Sequence, residues 1–562
     1  MDSNLLKTKS IEQLVGDVEH GSKALRRSLT AWDLTLLGIG AIIGTGIFVL
    51  TGTAAANQAG PGIMISYLVA GMACGFAALC YAEFASMIPI AGSAYTYAYA
   101  TMGELFAWII GWDLILEYAV GSMTVAIGWS GYMQKLLSGA GITLPAWMSA
   151  APSAASPGAI INLPAVLIVL GIMYLLIVGI RESARFNAIM VGVKLAAVLF
   201  FIGAGAVYVK PDNWDPFIPY GWAGVMGAAG VVFFAYIGFD AVSTTAEEAK
   251  NPQRDLPIGI IASLVVCTVL YLAVAAILTG IVPVVDYKTD PEFLNAPVAF
   301  ALSLIGQDWA AYLVSAGAVA GITSVLLVML MSQPRIFFAM SRDGLLPQGV
   351  SKVHPKFGTP YITTIITCVI VAIVAGLTQI QTVGEMTSIG TLFAFGIVCG
   401  AVLILRVSRP EVPRPFRVPF GPVFPVLGIV FCAYLMLNLP ILTWVRFLVW
   451  LDLGMLIYWF YGRTHSPLVD QAEAGRRTSF QGLANFVFIA GALAVFNFAC
   501  VTLLAYMTEF GITTETIAKW HEIGVTAEEA DAFALRWLAV SVAIFLAGFG
   551  LRKASGADST TA

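Results

Sequence analysis

The sequence predicts an all-α membrane protein of about fourteen transmembrane helices, in which two five-helix units are inverted relative to each other. Three observations predict this fold. The chain of 562 residues is 59% hydrophobic and only 11% charged, whereas about a quarter of the residues of a soluble domain are charged. Its apolar segments are long enough to cross a bilayer. Two of these segments, five spans apart, carry helix-breaking sequences near their middle.

Fourteen segments have the length and hydropathy of spanning helices. They lie near 33–55, 63–88, 103–134, 161–180, 185–208, 223–247, 257–281, 309–338, 360–379, 386–406, 424–442, 444–462, 482–508 and 533–552, and are numbered spans 1 to 14. The chain then divides into a cytoplasmic N-terminal segment at 1–32, a first repeat at 33–208 (spans 1–5), a second repeat at 223–406 (spans 6–10), spans 11–12 at 424–462, and an extra span pair, 13–14, at 482–552.

The distribution of lysine and arginine predicts the orientation of the spans. With the N-terminus inside, most basic residues between the spans fall on the cytoplasmic side, as the positive-inside rule requires. An even number of spans then places both termini in the cytoplasm. No cleavable signal peptide precedes span 1, so span 1 itself is expected to direct insertion. We therefore expect a multi-pass protein embedded in the lipid bilayer of the plasma (inner) membrane.

Cysteine and histidine positions argue against several functional classes. All seven cysteines lie in apolar segments, which indicates neither a disulfide framework nor a zinc site. All four histidines lie outside the spans, which argues against a histidine proton relay or an intramembrane metalloenzyme. We therefore expect no metal, no other cofactor and no nucleic-acid partner.

Span 1 contains a glycine-rich stretch that makes a poor helix, because each glycine costs about 1 kcal/mol relative to alanine. The glycines are Gly38, Gly40, Gly44 and Gly46. Non-helical backbone inside a membrane is tolerated where it lines a cavity and holds a ligand. A break after Ile42 would free N–H groups at the start of the second half of the span, where the helix dipole favours an anion. Gly44, Thr45 and Gly46 would let a small carboxylate approach this backbone.

Two other interpretations fit the same glycines. Gly40 and Gly44 form a GxxxG pair, which could serve only close packing between helices. The spacing also resembles a dinucleotide-binding loop, but no strand precedes it and it continues into a membrane span. Four glycines exceed what one helix contact needs, which favours a binding site.

Span 6 carries the second break, at residues 233–240, where a glycine and an acid interrupt an apolar run. Breaking this helix would free carbonyl groups around Phe234, Ala235 and Ile237. Carbonyl oxygens at the negative end of a helix dipole suit an ammonium. A carboxylate site that faces an ammonium site across the middle of the membrane describes an α-amino acid.

Two charged residues inside spans are candidates for proton coupling. Lys194 lies in the middle of span 5, far from either interface, where a lysine costs about 3 kcal/mol or more. It could accept and release a proton during transport, or it could be a structural ammonium permanently bonded to carbonyls; both interpretations place it against span 1. Glu117, deep in span 3, is a second candidate proton site or a structural hydrogen-bonding group.

Met329 in span 8 is the one residue that bears on substrate size. If its side chain faces the site, its bulk would limit the length of the substrate side chain. Ordinary helix packing remains the alternative.

Several longer motifs resemble the amino acid–polyamine–organocation superfamily, and specifically the bacterial members of its cationic amino acid transporter branch. The motifs lie at residues 79–85, 91–97, 234–240, 247–254 and 341–347. The resemblance implies a LeuT-like fold of five plus five helices and secondary transport of amino acids. It also implies that Lys194 matches the span-5 lysine linked to proton coupling in this branch. Met329 matches a position that is small in cationic members and bulky in bacterial members that prefer small neutral amino acids.

These observations predict a secondary active transporter for proton-coupled symport of small neutral L-amino acids such as alanine. Its partners would be the amino acid and the proton. A carrier of cationic amino acids (arginine or lysine), of polyamines, or an amino acid exchanger on the same fold remains the alternative. An embedded enzyme is disfavoured, because no intramembrane cluster of His, Cys and Asp supports catalysis. A non-transporting sensor would be expected to carry a cytosolic signalling domain.

Overall fold

The structure, a computed structural model, describes residues 29–87, 93–152, 156–178, 184–347, 349, 352, 354 and 359–466. This part of the chain is helical and contains no strand beyond an isolated bridge between Leu29 and Ala249. Seven of its helices are long and apolar enough to cross a membrane, and five further apolar helices are shorter. Each of the first twelve predicted spans coincides with described helix, so the span numbers are kept. Predicted spans 13 and 14 lie outside the described residues.

The predicted first repeat begins with a broken span 1. A Thr30–Asp33 capping box starts its first helix, since Asp33 accepts from the Thr30 N–H (2.9 Å) while Thr30 Oγ1 accepts from the Asp33 N–H (3.4 Å). Span 1 comprises Ala31–Ile42, the π-helical Gly46–Leu50, Thr51–Ala54 and the π-helical Ala55–Ala59. Spans 2 to 5 are Ile63–Met87, Glu104–Gly139, Leu163–Val178 and Ala184–Gly205. Short helices at Ser93–Thr101 and Ala146–Ser149 connect them.

The predicted second repeat begins with a broken span 6. Span 6 comprises Gly221–Val232 and two 3-10 segments, Phe233–Tyr236 and Phe239–Glu248. Spans 7 to 10 are Pro252–Ile281, Asp308–Arg342, Tyr361–Leu377 and Ile380–Ser408. Between spans 7 and 8 lie the short helices Pro291–Asn295 and Pro297–Leu304. Span 11 is Val423–Leu437, and span 12 is Ile441–Ile457 extended by the π-helical Tyr458–Gly462.

Span 3 is the central helix of the packing. It lies against spans 8 and 10, while span 7 packs on spans 1 and 2. Stacked tryptophans attach span 12 to span 3: the Trp112 indole donates to the Trp450 carbonyl (2.8 Å) and the Trp450 indole to the Trp112 carbonyl (3.1 Å). Indole N–H groups inside a membrane need such acceptors because no water is available. Spans 1, 3, 6, 7 and 8 together surround the two helix breaks.

Candidate functional site

Span 1 is interrupted immediately after Ile42. Ile43 has an extended backbone, with φ −74° and ψ 104°. The next helical turn is closed by Phe48, whose N–H donates to the Gly44 carbonyl over 3.4 Å. The N–H groups that precede Phe48 form the first turn of the second half, and the first turn of any helix has no intrahelical acceptors for its N–H groups. This end of the half-helix is therefore suited to an anion.

Span 6 is interrupted at Ile237 and Gly238. Ile237 is extended (φ −61°, ψ 136°), and Gly238 has φ +118°, in the left-handed region. The Ile237 N–H donates to the Phe234 carbonyl over 3.2 Å, so one lone pair of that carbonyl is used within the break. Each backbone carbonyl has two lone pairs, and Phe234 therefore retains acceptor capacity.

The two breaks lie directly against each other. A Cβ atom placed on Gly46 would collide with the backbone and side chain of Ala235, and a Cβ on Gly238 would lie 2.8 Å from the Ala41 carbonyl. A Cβ on Gly44 would lie 3.3 Å from a methyl group of Val325 in span 8. The glycines thus permit close approach between spans, and the packing interpretation accounts for part of their number. The same approach brings the N–H end of one break beside the carbonyl end of the other.

Lys194 crosses from span 5 to the end of the first half of span 1. Its side chain is fully buried, and its ammonium donates to the Gly40 carbonyl, to the Ile43 carbonyl (3.2 Å) and to Ser324 Oγ of span 8 (3.3 Å). Three acceptors match the three N–H donors of an ammonium. Gly321 makes room for the lysine stem, because a Cβ there would lie 2.7 Å from the Lys194 Cβ. The lysine amino group is therefore held at the carbonyl end of a broken helix, where the helix dipole favours a cation.

Tyr271 of span 7 joins the two breaks and was not singled out by the sequence. Its hydroxyl lies 3.0 Å from the Ile42 carbonyl and 2.6 Å from the Ala235 carbonyl. The only sequence signal is a tyrosine in mid-span, far from the interfaces where tyrosines are enriched. That signal is weak, because a buried tyrosine is also ordinary packing.

Glu117 and Asp113 lie one helical turn apart on span 3, and both are buried. Their four carboxyl oxygens have no hydrogen-bond partner among the described residues. Asp113 faces span 10, since a Cβ on Gly390 would lie 2.9 Å from Asp113 Oδ1. Buried polar atoms without partners are rare and call for an explanation. Glu117 contacts neither break through a hydrogen bond in the described part of the chain.

Met329 and Thr45 both turn toward span 3. Met329 Sδ would lie 3.3 Å from a Cβ on Gly121, one helical turn beyond Glu117. Thr45 Oγ1 lies 3.4 Å from the Val125 carbonyl, and its methyl group fills the space beside Gly128. The Thr45 hydroxyl is therefore already directed to a backbone acceptor in this structure.

The residues of the site are buried in the part of the chain that the structure describes. Every residue assigned to it from sequence is buried: Ile42, Gly44, Thr45, Gly46, Glu117, Lys194, Phe234, Ala235, Ile237 and Met329. A covering segment, residues 291–304, rests on spans 1 and 3. Pro297 packs on Gly52, the Asn295 carbonyl packs on Gly131, and Glu292 forms an ion pair with Lys135.

Comparison with known proteins is consistent with this architecture. The sequence profile of the family described as amino acid permease matches residues 29–461. The chain is 54% identical to the branched-chain amino acid permease BcaP of Bacillus subtilis (strain 168), over 83% of this chain and 100% of that protein. It is 50% identical to the methylthioribose transporter of the same organism, over 83% and 99% of the two chains. It is 31% identical to the vacuolar cationic amino acid transporter 4 of Arabidopsis thaliana, over 83% and 96%.

Proposed function

Because the chain belongs to the amino acid permease family of the amino acid–polyamine–organocation superfamily, we propose that it is a proton-coupled symporter of neutral aliphatic L-amino acids in the plasma membrane. The family and its named relatives are membrane transporters, so the chain is not an enzyme. The observation that carries the substrate class is the contact between the two helix breaks, which brings an N–H end beside a carbonyl end.

The first turn of the second half of span 1 would hold the substrate carboxylate. Its N–H groups, at Gly44, Thr45 and Gly46, point along a helix dipole that favours negative charge. An α-carboxylate has two oxygens and accepts several such bonds. Every α-amino acid presents the same group, so this end selects the class and not the side chain.

The carbonyl ends of Ile42, Phe234, Ala235 and Ile237 would hold the α-ammonium. An ammonium has three donors, and the broken helix end presents acceptors with free lone pairs. Methylthioribose has neither an α-carboxylate nor an α-ammonium, so the relative that transports it would have to use this backbone differently. An amino acid uses both ends at once, which is why it is the better match.

Lys194 and Glu117 would carry the proton coupling. A protonated Lys194 holds the Gly40 and Ile43 carbonyls, as a bound cation would in an ion-driven transporter. Loss of its proton would remove the charge and loosen the first half of span 1. Glu117 lies one turn of span 3 from the Met329 contact, and its unpartnered carboxyl group is the second proton site that we propose.

The side-chain preference would be set beside Met329, in the region of Gly121 and Thr387. A Cβ on Gly121 would lie 3.6 Å from Thr387 Cγ2 as well as close to Met329. With these groups as its boundary, the site would accept alanine and, with a shift of the flexible methionine, a branched chain. The 54% identity to a branched-chain permease supports leucine, isoleucine and valine. The cationic transporters among the relatives support arginine or lysine as the alternative.

The deciding experiment is uptake by the purified full chain in proteoliposomes. Labelled L-alanine, L-leucine and L-arginine are each offered with an inward proton gradient, with an inward sodium gradient, and with neither. We expect alanine and leucine to accumulate only with the proton gradient. Accumulation that follows sodium contradicts the coupling, arginine uptake alone contradicts the substrate assignment, and efflux that requires external amino acid identifies an exchanger. Labelled methylthioribose is the control for a non-amino-acid substrate.

A further inference from the structure

The hydroxyl group of Tyr271 lies between the two helix breaks. Its oxygen is 3.0 Å from the Ile42 carbonyl oxygen of span 1 and 2.6 Å from the Ala235 carbonyl oxygen of span 6. Both carbonyls end a half-helix, and all three residues are buried. A tyrosine hydroxyl has a single proton. It can therefore donate fully to one of these carbonyls at a time, and the other keeps unmet acceptor capacity.

The Tyr271 ring is held firmly, so the position of its hydroxyl is defined. The ring packs on Tyr67 of span 2 (centroids 5.3 Å apart) and on Tyr236 of span 6 (5.2 Å). These neighbours are anchored in turn: the Tyr236 hydroxyl donates to the Tyr67 carbonyl (2.9 Å), and the Tyr67 hydroxyl lies 2.6 Å from Thr51 Oγ1 of span 1. Three buried aromatic rings with satisfied hydroxyl groups make a rigid support.

We propose that Tyr271 is a positioning residue for the substrate ammonium. Its hydroxyl sets the separation of the Ile42 and Ala235 carbonyls, which come from different repeats and have no other shared partner among the described residues. An ammonium brings three donors to a carbonyl pair that Tyr271 alone cannot satisfy. Tyr271 thus holds the two carbonyl oxygens at the separation that the substrate ammonium needs, and the ammonium then supplies the missing donors. This proposal rests on the proposed function, since it requires an α-amino acid substrate.

The test compares two variants that each remove one hydroxyl from the same aromatic cluster. Tyr271→Phe removes the donor between the breaks, whereas Tyr236→Phe removes a donor to the Tyr67 carbonyl, away from the paired carbonyls. Both variants keep the ring, so packing is preserved. The purified full chain is used for L-leucine binding, for inhibition of leucine uptake by 4-methylpentanoate (leucine without its ammonium), and for thermal unfolding.

We expect Tyr271→Phe to raise the dissociation constant of leucine by about tenfold, the effect of one buried hydrogen bond in the binding geometry. Inhibition by 4-methylpentanoate should stay within about twofold of the wild type, because that ligand has no ammonium. Tyr236→Phe should leave leucine binding within the same range. The KM for leucine should rise in Tyr271→Phe while the maximal rate changes less.

Several results overturn the proposal. Leucine binding to Tyr271→Phe that equals the wild type shows that the hydroxyl does not position the ammonium. Equal weakening in Tyr271→Phe and Tyr236→Phe, accompanied by equal loss of thermal stability, shows a general packing role. A wild-type protein that binds no amino acid overturns the proposed function and this proposal together, whereas normal wild-type binding isolates the failure to Tyr271.

Discussion

Lys194 finds in its surroundings the acceptors that water would supply outside the membrane. Its ammonium meets two carbonyls and one hydroxyl, from span 1 and span 8, and all three are neutral groups. Hydrogen bonds from a charged donor contribute about 1.5–3 kcal/mol each. The residue therefore links span 5 to span 8 and to the broken span 1, and its replacement should lower stability as well as coupling.

The first prediction concerns that charge. Lys194→Met keeps an unbranched side chain against Gly321 but removes the donors, so the Gly40 and Ile43 carbonyls lose their cation. We expect accumulation of alanine under a proton gradient to fall to equilibrium, with exchange of labelled for unlabelled alanine retained. The measurement is the ratio of internal to external alanine in proteoliposomes. Continued gradient-driven accumulation in this variant would show that the proton is carried elsewhere.

Met329 is expected to limit the length of the substrate side chain. Met329→Ser shortens the side chain beside Gly121 and adds a hydroxyl, and should therefore admit longer substrates. We expect arginine to inhibit alanine uptake at least tenfold more strongly than in the wild type, about 1.4 kcal/mol of gained binding. Met331→Ser, two residues further along span 8, is the matched control and should not change selectivity. Unchanged arginine inhibition in Met329→Ser means that this side chain does not line the pocket.

The partners of Lys194 could be predicted from the sequence, whereas those of Tyr271 could not. A lysine in mid-span has to find carbonyl acceptors, and broken helices are where such acceptors are free, so its neighbourhood could be inferred from chemistry alone. Tyr271 could not be inferred, because tyrosine in an apolar helix has the same sequence appearance whether its hydroxyl joins two breaks or only packs. The partners of a hydroxyl depend on the register of distant spans, and a single sequence does not contain that register.

At the scale of elements, the breaks themselves were predictable and the short helices were not. Glycine content and a mid-span acid indicate where spans 1 and 6 lose helical hydrogen bonds. The helices Ser93–Thr101 and Pro291–Leu304 are too short to register as spans. Each follows the second helix of its predicted five-helix unit. The roles proposed for the glycines combine both interpretations, since Gly46 serves packing on Ala235 and also begins the N–H end.

The third prediction tests that contact. Gly46→Ala would force a methyl group into Ala235 and separate the two breaks, and overpacking of this kind costs about 1–3 kcal/mol. We expect leucine uptake to fall at least tenfold, and Ala235→Gly cannot relieve the clash, because the added Cβ would lie 2.4 Å from the Ala235 Cα as well as 2.5 Å from its Cβ. Gly75→Ala in span 2 is the control, because a Cβ there meets nothing within 4 Å. Leucine uptake by Gly46→Ala that equals uptake by Gly75→Ala would mean that the contact between breaks is not what Gly46 provides.

The packing of the covering segment on spans 1 and 3 could not be predicted from the sequence. The segment 291–304 covers Gly52 of span 1 through Pro297, and it meets Gly131 and Lys135 of span 3 through Asn295 and Glu292. Transport requires alternate opening on the two sides, so we expect this contact to form and break in each cycle. Glu292 is 57% exposed and Lys135 only 11%, which makes the pair a partly solvated latch that can open at low cost.

The last prediction concerns this latch. Lys135→Glu places two acids opposite each other, and Glu292→Lys places two bases there, so each single change replaces attraction by repulsion of about 1 kcal/mol. We expect each to lower the maximal rate of leucine uptake severalfold with little change in KM, because the binding site is untouched. The combined exchange restores the opposite charges and should return most of the rate.

The measurement is initial uptake at low and at high ionic strength. Repulsion between like charges is screened by salt, so the single variants should improve in high salt while the wild type does not. Defects that salt does not relieve, and that the exchange does not repair, would mean that the covering segment closes by its contacts on Gly52 and Gly131 and that the charges are incidental.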